Sequence, residues 1–334
     1  MRVAMLGPKI RRIPAGPSFF RAKSVLSDPD PRLPATAEDT VSSRHPRVLA
    51  PLRAVRRSAT NAVALAALVA APVLSAAPAL ADSAKVGAIY DISFSGMSFA
   101  QGKLSLVIDG SAYSAKVAMR PASLARIFSS EKVDAQAAGW LKGGSVLPTR
   151  YTMEASNSEK SSSVRMDLAS GTLKSVSADP PTKPHRDVVP VQSKHWKGVL
   201  DPVSAVVMPV RSVEDATGPA ACARTLPIFD GWTRFDVPLT YQGTKTVETK
   251  SYKGTVVVCS ARWVPVSGHK RNKESVRYMQ NNRALEAWLA PIPGTTLLVP
   301  YRVSVGTMRG TLVVEATDLK ITGPTVTAVT TTAD

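Results

Sequence analysis

Alternation of apolar and polar residues between positions 86 and 119 constrains the fold more than any other feature. Leu104, Leu106 and Ile108 are separated by single residues, and every second residue from Tyr113 to Met119 is also apolar. Asp109-Gly110, between the two runs, is a typical tight-turn pair. Because successive side chains of a strand point to opposite faces, this pattern predicts an antiparallel meander with one buried face.

Similar short β-prone runs, interrupted at Gly and Pro, continue to the end of the chain. We predict strands at 132–141, 146–156, 163–168, 172–178, 223–229, 233–241, 246–258, 260–265, 285–289, 296–305 and 311–321. Helical spacing is confined to Ala122–Phe128, Val203–Val210 and Lys273–Leu285. The sequence therefore predicts a mainly β fold, a curved antiparallel sheet that forms a barrel or half-barrel. Two or three short helices would plug or cover its concave face.

The Ala-rich run from Ala62 to Leu80 is typical of an export signal. Arginines precede it, and Ala79-Leu80-Ala81 forms a small-x-small cleavage site. We therefore predict a signal peptide at 53–81, cleavage between Ala81 and Asp82, and a periplasmic location without a stable transmembrane span. A retained anchor is an alternative, because roughly 20 apolar residues can span a bilayer. A buried core helix is a further alternative.

The sequence divides into regions of different composition. Residues 1–52 are rich in Pro, Arg and Ser without apolar periodicity, which indicates a disordered leader or a misassigned start. Residues 82–321 form the expected exported β-rich domain. Four prolines near 180–190 mark a possible sub-boundary. Residues 322–334 are polar and Thr-rich and are expected to form a flexible tail.

Positive charge suggests anionic partners. The chain has a formal net charge of +17. Its first 81 residues contain 12 Lys and Arg and 4 Asp and Glu, which leaves 30 basic and 21 acidic residues, a net +9, in the exported part. Such a protein meets anionic lipids and envelope polymers rather than nucleic acid.

Two clusters combine cations with tryptophan and suggest a surface for an anionic ligand. The tryptophans are Trp196, between Lys194 and Lys197, and Trp263, which follows Arg262. The residues that we assign to this surface are Lys194, Trp196, Lys197, Arg262, Lys270 and Arg271. The alternative interpretation is that the cations are solvated strand ends and that the tryptophans belong to the core.

Motifs for catalysis are weak. Ser-x-x-Lys occurs at Ser129–Lys132 and Ser267–Lys270, without the companion motifs of serine acyl-enzymes. His185, His195 and His269 each lie beside a cation, which disfavours a metal dication. We therefore assign no catalytic residue, metal or cofactor, and hypothesise a non-enzymatic binding module for a lipid or an anionic envelope component. The alternatives are an envelope hydrolase or cell-wall-modifying enzyme with an unrecognised site, and a structural scaffold.

The chain contains two cysteines, Cys222 and Cys259. In an oxidising compartment such a pair predicts one structural disulfide. A free catalytic thiol is the alternative, although no Cys-x-x-Cys spacing supports redox or zinc chemistry.

Several phrases, taken in order, resemble a proteobacterial envelope family catalogued as domain of unknown function 3108. They are Tyr90–Ile92, Asp201–Ala205, Cys222–Gly231, Phe235–Val237, Cys259–His269, Glu286–Leu289 and Val299–Val303. The resemblance spans most of the region from Asp82 to Ile321. It implies an exported β-rich fold akin to lipoprotein-carrier half-barrels and no known activity, so it supplies no catalytic residues.

Overall fold

A computed structural model describes residues 83–122, 130–182 and 185–323. These residues form one antiparallel sheet of fifteen strands and one α-helix. The first seven strands are β1 (Ser83–Phe94), β2 (Met97–Asp109), β3 (Ala112–Pro121), β4 (Lys132–Lys142), β5 (Ser145–Ser156), β6 (Ser161–Ala169) and β7 (Thr172–Asp179). The remaining elements are β8 (Met208–Pro209), β9 (Thr225–Phe229), β10 (Arg234–Glu248), β11 (Lys253–Ala261), β12 (Val264–Ser267), α1 (Glu274–Asn281), β13 (Leu285–Pro291), β14 (Leu297–Thr307) and β15 (Gly310–Thr322).

Most neighbours in the sheet are also neighbours in the chain, as the turn signals predict. The order is β12-β10-β11-β13-β14-β15-β1-β2-β3-β4-β5-β6-β7, with β8 paired to β14 and β9 to β10. The exceptions are the pairs β10–β12, β11–β13 and β8–β14, and above all β1, which pairs with both β2 and the distant β15. The sheet is antiparallel but is not closed, because β7 and β12 lie at its two ends. The expectation of a mainly β fold built on an antiparallel sheet is confirmed, but closure into a barrel is not.

The larger core lies on one face of the sheet. Its inward side chains include Leu106, Tyr151 and Met166, all at most 1% exposed. The connection between β7 and β8 packs Val199 and Val203 into the same cluster. The core face of the sheet is therefore filled by the chain's own side chains.

The same connection forms backbone hydrogen bonds to two distant places in the sheet, the β6–β7 turn and β9. The Val199 N–H donates to the Gly171 carbonyl in the β6–β7 turn at 2.8 Å. The neighbouring Leu200 N–H donates to the Pro227 carbonyl in β9, also at 2.8 Å. The loop thus links the β6–β7 turn to β9, two parts of the sheet that do not pair with each other.

A second, smaller core lies on the other face of β10, β11, β13 and β14. Val256 belongs to the first core whereas its neighbour Val257 belongs to the second, so this part of the sheet is apolar on both faces. The segment from 208 to 222 contributes side chains that pack against this second face. Cys222 forms a disulfide with Cys259 in β11, with Cα atoms 5.7 Å apart, which fixes this segment on the sheet.

The prediction of two or three helices was wrong within the described residues. They contain α1 and otherwise only short 3-10 turns. Val203–Val210 was expected to be helical, but it forms a 3-10 turn at Ser204–Val206 and then enters β8. An all-apolar run cannot distinguish a helix from an irregular segment that is buried on every side. The other expected helix, Ala122–Phe128, lies almost entirely outside the described residues.

Several strand boundaries also differ from expectation. Residues 234–241 and 246–248 belong to one long strand, β10, and Gly243 lies in a register shift with a φ of +132° rather than in a turn. Pro300 lies inside β14, next to a register shift opposite Trp288 and Leu289. Both shifts let a strand continue past a residue that usually interrupts one.

The leader at 1–52, the signal peptide at 53–81, the Ala81–Asp82 cleavage site and residues 324–334 of the tail lie outside the described residues. Among the helices that the structure describes, none has the length and hydropathy needed to cross a membrane.

Candidate anion-binding surface

Five exposed cations surround α1, and we call them the α1 surface. They are Lys270, Arg271, Lys273, Arg277 and Arg283. Glu274 is the single acidic residue between positions 270 and 283. Within the described residues none of the five cations has a carboxylate within ion-pair distance. Their charges are therefore available to an anion from solution.

Local contacts hold this surface in place. The Arg271 N–H donates to the Asp187 carbonyl at 2.9 Å, and the Asn272 side-chain amide donates to the Asp187 carboxylate at 2.8 Å. At the other end of the helix, Arg262 Nη2 donates to the Gln280 carbonyl at 2.7 Å. Val276 is buried beneath the helix. Of the predicted ligand residues, Lys270 and Arg271 thus point to solvent, whereas Arg262 supports the helix.

The first predicted cluster borders the same end of β10 and β12. Lys194 and Lys197 are exposed, but Trp196 packs against the first core. His195, between them, has a pKa lowered by burial and then by the charges of Lys194 and Arg234. Arg234 is in turn the register partner of Ser267 in β12, the strand that leads to Lys270. The structure therefore relates the first cluster to the start of β10 through Arg234 and leaves Trp196 half-buried against the first core.

The second tryptophan is also structural. Trp263 packs against the second core, with its ring 6.0 Å from Phe235 and 6.4 Å from His269. Burial is the main cause of the lowered pKa of His269, which favours a neutral imidazole. We conclude that the lysines and arginines, rather than the aromatic rings, provide the chemistry of this surface.

A buried polar network is the other unusual feature. The Asp201 carboxylate accepts hydrogen bonds from the N–H groups of Val203 and Ser204, at 2.9 and 2.8 Å, and from the Ser204 hydroxyl. The Ser204 hydroxyl also contacts the Tyr113 hydroxyl at 2.7 Å. Asp201 and Ser204 are completely buried. These two buried side chains cap a turn, and each meets the hydrogen-bonding needs of the other. Because both are fully buried, they are closed to a substrate from solution.

Other ionisable groups of interest in the described parts of the chain are already paired or buried. No group of three His, Cys, Asp or Glu side chains there could hold a metal ion. A hollow of about 480 Å³ is lined by Asp91, Glu248 and Glu315, but each has a partner: Ser98, Lys253 and Arg302, respectively. Ser267, from the second Ser-x-x-Lys, is completely buried.

Comparison with known proteins identifies a family. The profile of a family described as "Protein of unknown function (DUF3108)" matches residues 89–317. The chain belongs to the DUF3108 family. No curated protein matches this DUF3108 sequence.

Among solved structures, this DUF3108 chain is similar to the crystal structure of a beta-barrel-like protein of domain of unknown function DUF1849 from Brucella abortus. The identity is 11%, and the alignment covers 73% of this chain and 98% of the other with a TM-score of 0.40. The family model over residues 89–317 confirms the predicted family.

One further feature of this DUF3108 protein was missed by sequence reasoning. A hollow of about 710 Å³ lies on the sheet face opposite the first core, across β15 and β1 to β5. Gly87 lines it from β1, with Lys320, Lys103 and Lys116 on β15, β2 and β3. The alternation identified these residues as outward-facing, but strand register, which the sequence does not reveal, brings them together.

Proposed function

We propose that this protein is an exported, non-enzymatic binding module that holds an anionic component of the cell envelope on the α1 surface. The observation that carries this proposal is the group of five exposed cations without carboxylate partners in the described structure. The export signal in the sequence supports the envelope location. The ligand chemistry is clustered phosphate or carboxylate, as in anionic lipid headgroups or envelope polymers.

Because the first core is filled, we expect the ligand to bind at the surface and not as an apolar molecule enclosed by the sheet. Tyr151, Met166 and Leu319 are at most 1% exposed, and Val199 and Val203 fill the space beside them. An acyl chain would have to displace these close-packed side chains. Anionic groups on the α1 surface require no such rearrangement.

The fixed geometry of the α1 surface favours binding. The loop before the helix is held by Asp187 and the end of the helix by Arg262. The backbone that carries the cations is therefore ordered before the ligand arrives, so binding costs mainly side-chain entropy. Because the charges are exposed, the attraction should weaken strongly with added salt.

A vesicle and polyanion binding experiment tests the proposal. Protein from a strain that expresses the whole chain is mixed with phosphatidylcholine vesicles, with vesicles that also contain an anionic phospholipid, and with long-chain polyphosphate. We expect binding to at least one anionic probe, loss of that binding at high salt, and none to the neutral vesicles. The quadruple variant K270Q/R271Q/K273Q/R277Q should bind at least about a hundredfold more weakly, at about 1 kcal/mol per cation.

A matched variant controls for overall charge. Lys142, Lys160, Lys174 and Lys250 are also exposed, so their replacement by Gln removes the same total charge away from α1. This control should retain most of the binding. Equal losses in the two variants, or no binding of the unmodified protein to any anionic probe, would contradict the proposal.

A further inference from the structure

The hollow over Gly87 is formed by small side chains at matching positions of neighbouring strands. Gly87 in β1 is the register partner of Ser105 in β2 on one side and of Lys320 in β15 on the other. Ala118 in β3 is the partner of Lys103. A Cβ atom placed on Gly87 would have no heavy atom within 4 Å. The sheet surface therefore has a depression here instead of a layer of side chains.

Three lysines surround this depression. Lys320 lies directly across from Gly87, Lys103 is one strand away on the diagonal, and Lys116 is the partner of Ser105. All three are exposed, and no carboxylate in the described residues lies within ion-pair distance of them. One nearby acid, Asp134, is already bound through both carboxylate oxygens to Arg120, at 2.7 and 2.8 Å. The part of the hollow around Gly87 and Ser105 is therefore bordered by three lysines without ion-pair partners in the described structure.

The rest of the lining mixes apolar residues, among them Ile89, Val117 and Ala118, with polar and acidic ones. Gln136 and Thr152 lie on β4 and β5, and the carboxylates of Asp318 and Glu154 lie on the two outermost strands of the hollow. Carboxylates at the edges would repel a densely charged polyanion. Side-chain amides, hydroxyls and carboxylates are instead suitable partners for the hydroxyl groups of a sugar.

The volume also fits a small molecule rather than a single ion. About 710 Å³ lies within the usual range of ligand pockets. We propose that the hollow over Gly87 binds an acidic sugar, whose phosphate or carboxylate lies among Lys103, Lys116 and Lys320 and whose hydroxyls contact the surrounding polar side chains. This site is separate in sequence and in the sheet from the α1 surface, and the proposal does not depend on the function assigned to that surface.

Filling the hollow is the sharpest test. Gly87 has ordinary strand dihedrals and open space above it, so Gly87→Leu should fold normally while occupying the depression. Ser114→Leu adds a similar side chain to an exposed position of β3 that does not line the hollow. Circular dichroism and the thermal midpoint would verify that both variants are folded.

Isothermal titration calorimetry then measures binding of glucose 6-phosphate, glucuronate, an oligouronate and neutral glucose. We expect the unmodified protein and Ser114→Leu to bind at least one acidic sugar and not glucose. Gly87→Leu and the double variant K103A/K116A should each bind roughly tenfold more weakly or worse, because charge-assisted hydrogen bonds are lost. Binding of the single sugars points to a free metabolite, whereas binding of the oligouronate alone points to a glycan.

Three results would overturn the proposal. They are the absence of binding to every acidic sugar at millimolar concentration, equal binding of glucose, and undiminished binding by Gly87→Leu. The quadruple α1 variant separates the two proposals, since it should leave acidic-sugar binding unchanged. If it abolishes that binding as well, the sugar is not held in the hollow.

Discussion

At Asp201, burial and hydrogen bonding act in opposite directions on one carboxyl group. Burial disfavours the charged form and raises the pKa to about 6, while the hydrogen bonds from Ser204 and Val203 partly oppose that rise. The nearby Asp230 shows the same balance, with a pKa raised by burial and lowered in part by hydrogen bonds from Thr233 and Trp232. Both aspartates hold turns of the loop regions that border the first core.

The raised pKa of Asp201 predicts a pH-dependent stability. The folded-state pKa of about 6 exceeds the ordinary value of 3.8, so folding takes up a proton between these pH values. The contribution of Asp201 to the free energy of unfolding should therefore be greatest below about pH 4 and fall by up to about 3 kcal/mol as the pH rises through about 6. Urea unfolding at a series of pH values measures this, with Asp201→Asn as the control. An Asn variant with the same pH profile as the unmodified protein would contradict the assignment.

At the scale of elements, the segment from 208 to 222 shows how a region without long helices or strands is held in place. It pairs with β14 through β8, contributes Ala216 and Ala221 to the second core, and ends in the disulfide to β11. Its backbone forms short 3-10 turns that have little stability on their own. Packing and the covalent link therefore determine its position.

Removal of the disulfide should destabilise the protein strongly. The two cysteines are 37 residues apart, and closing a loop of that length stabilises a fold by about 4 kcal/mol in the chain-entropy model. We expect the C222S/C259S variant to lose most of that amount in urea unfolding. Reduction with dithiothreitol should produce a similar loss in the unmodified protein and none in the variant. An unchanged midpoint in the double variant would show that packing alone holds the segment.

The elements also show the limit of local prediction. Strands β1 to β7 follow the alternation closely, because a period of two is set by neighbouring residues alone. Val203–Val210 was assigned wrongly, because its apolar side chains are buried in the core from several directions and leave no amphipathic pattern. Sequence reasoning identified Lys270 and Arg271 of the α1 surface, because they are adjacent in the chain. Arg277 and Arg283 were recognised only from the structure, in which they lie on and just after α1.

In the whole molecule, the pairing of β1 with β15 is the decisive long-range feature. It places the last described strand between β14 and β1, inside the sheet rather than at its edge. Ala316 and Leu319 in β15 belong to the first core and are at most 3% exposed. Strands from the two ends of the described chain therefore complete each other's hydrogen bonding.

Two truncations test this arrangement. A chain that ends at Arg309 lacks β15, so it should lose cooperative unfolding because two inner strands become unpaired edges and the core loses side chains. A chain that ends at Gly323 keeps β15 and removes only residues of the predicted tail, so its thermal midpoint should change little. Differential scanning calorimetry distinguishes the two. A cooperative transition in the Arg309 truncation would show that β15 is dispensable.

The sequence alone determined the properties that depend on residues close together in the chain. These are the mainly β fold, most strand positions, the family, and the cysteine pair as a disulfide candidate. Only the tertiary structure decided the open sheet with β1 beside β15, the loop that fills the first core, the packing of Trp196 and Trp263 against the two cores, and the hollow over Gly87. The physical reason is that each of these depends on register and packing between residues far apart in the chain. The alternation along a strand shows which side chains share a face, but it does not show which strand lies alongside or in which register.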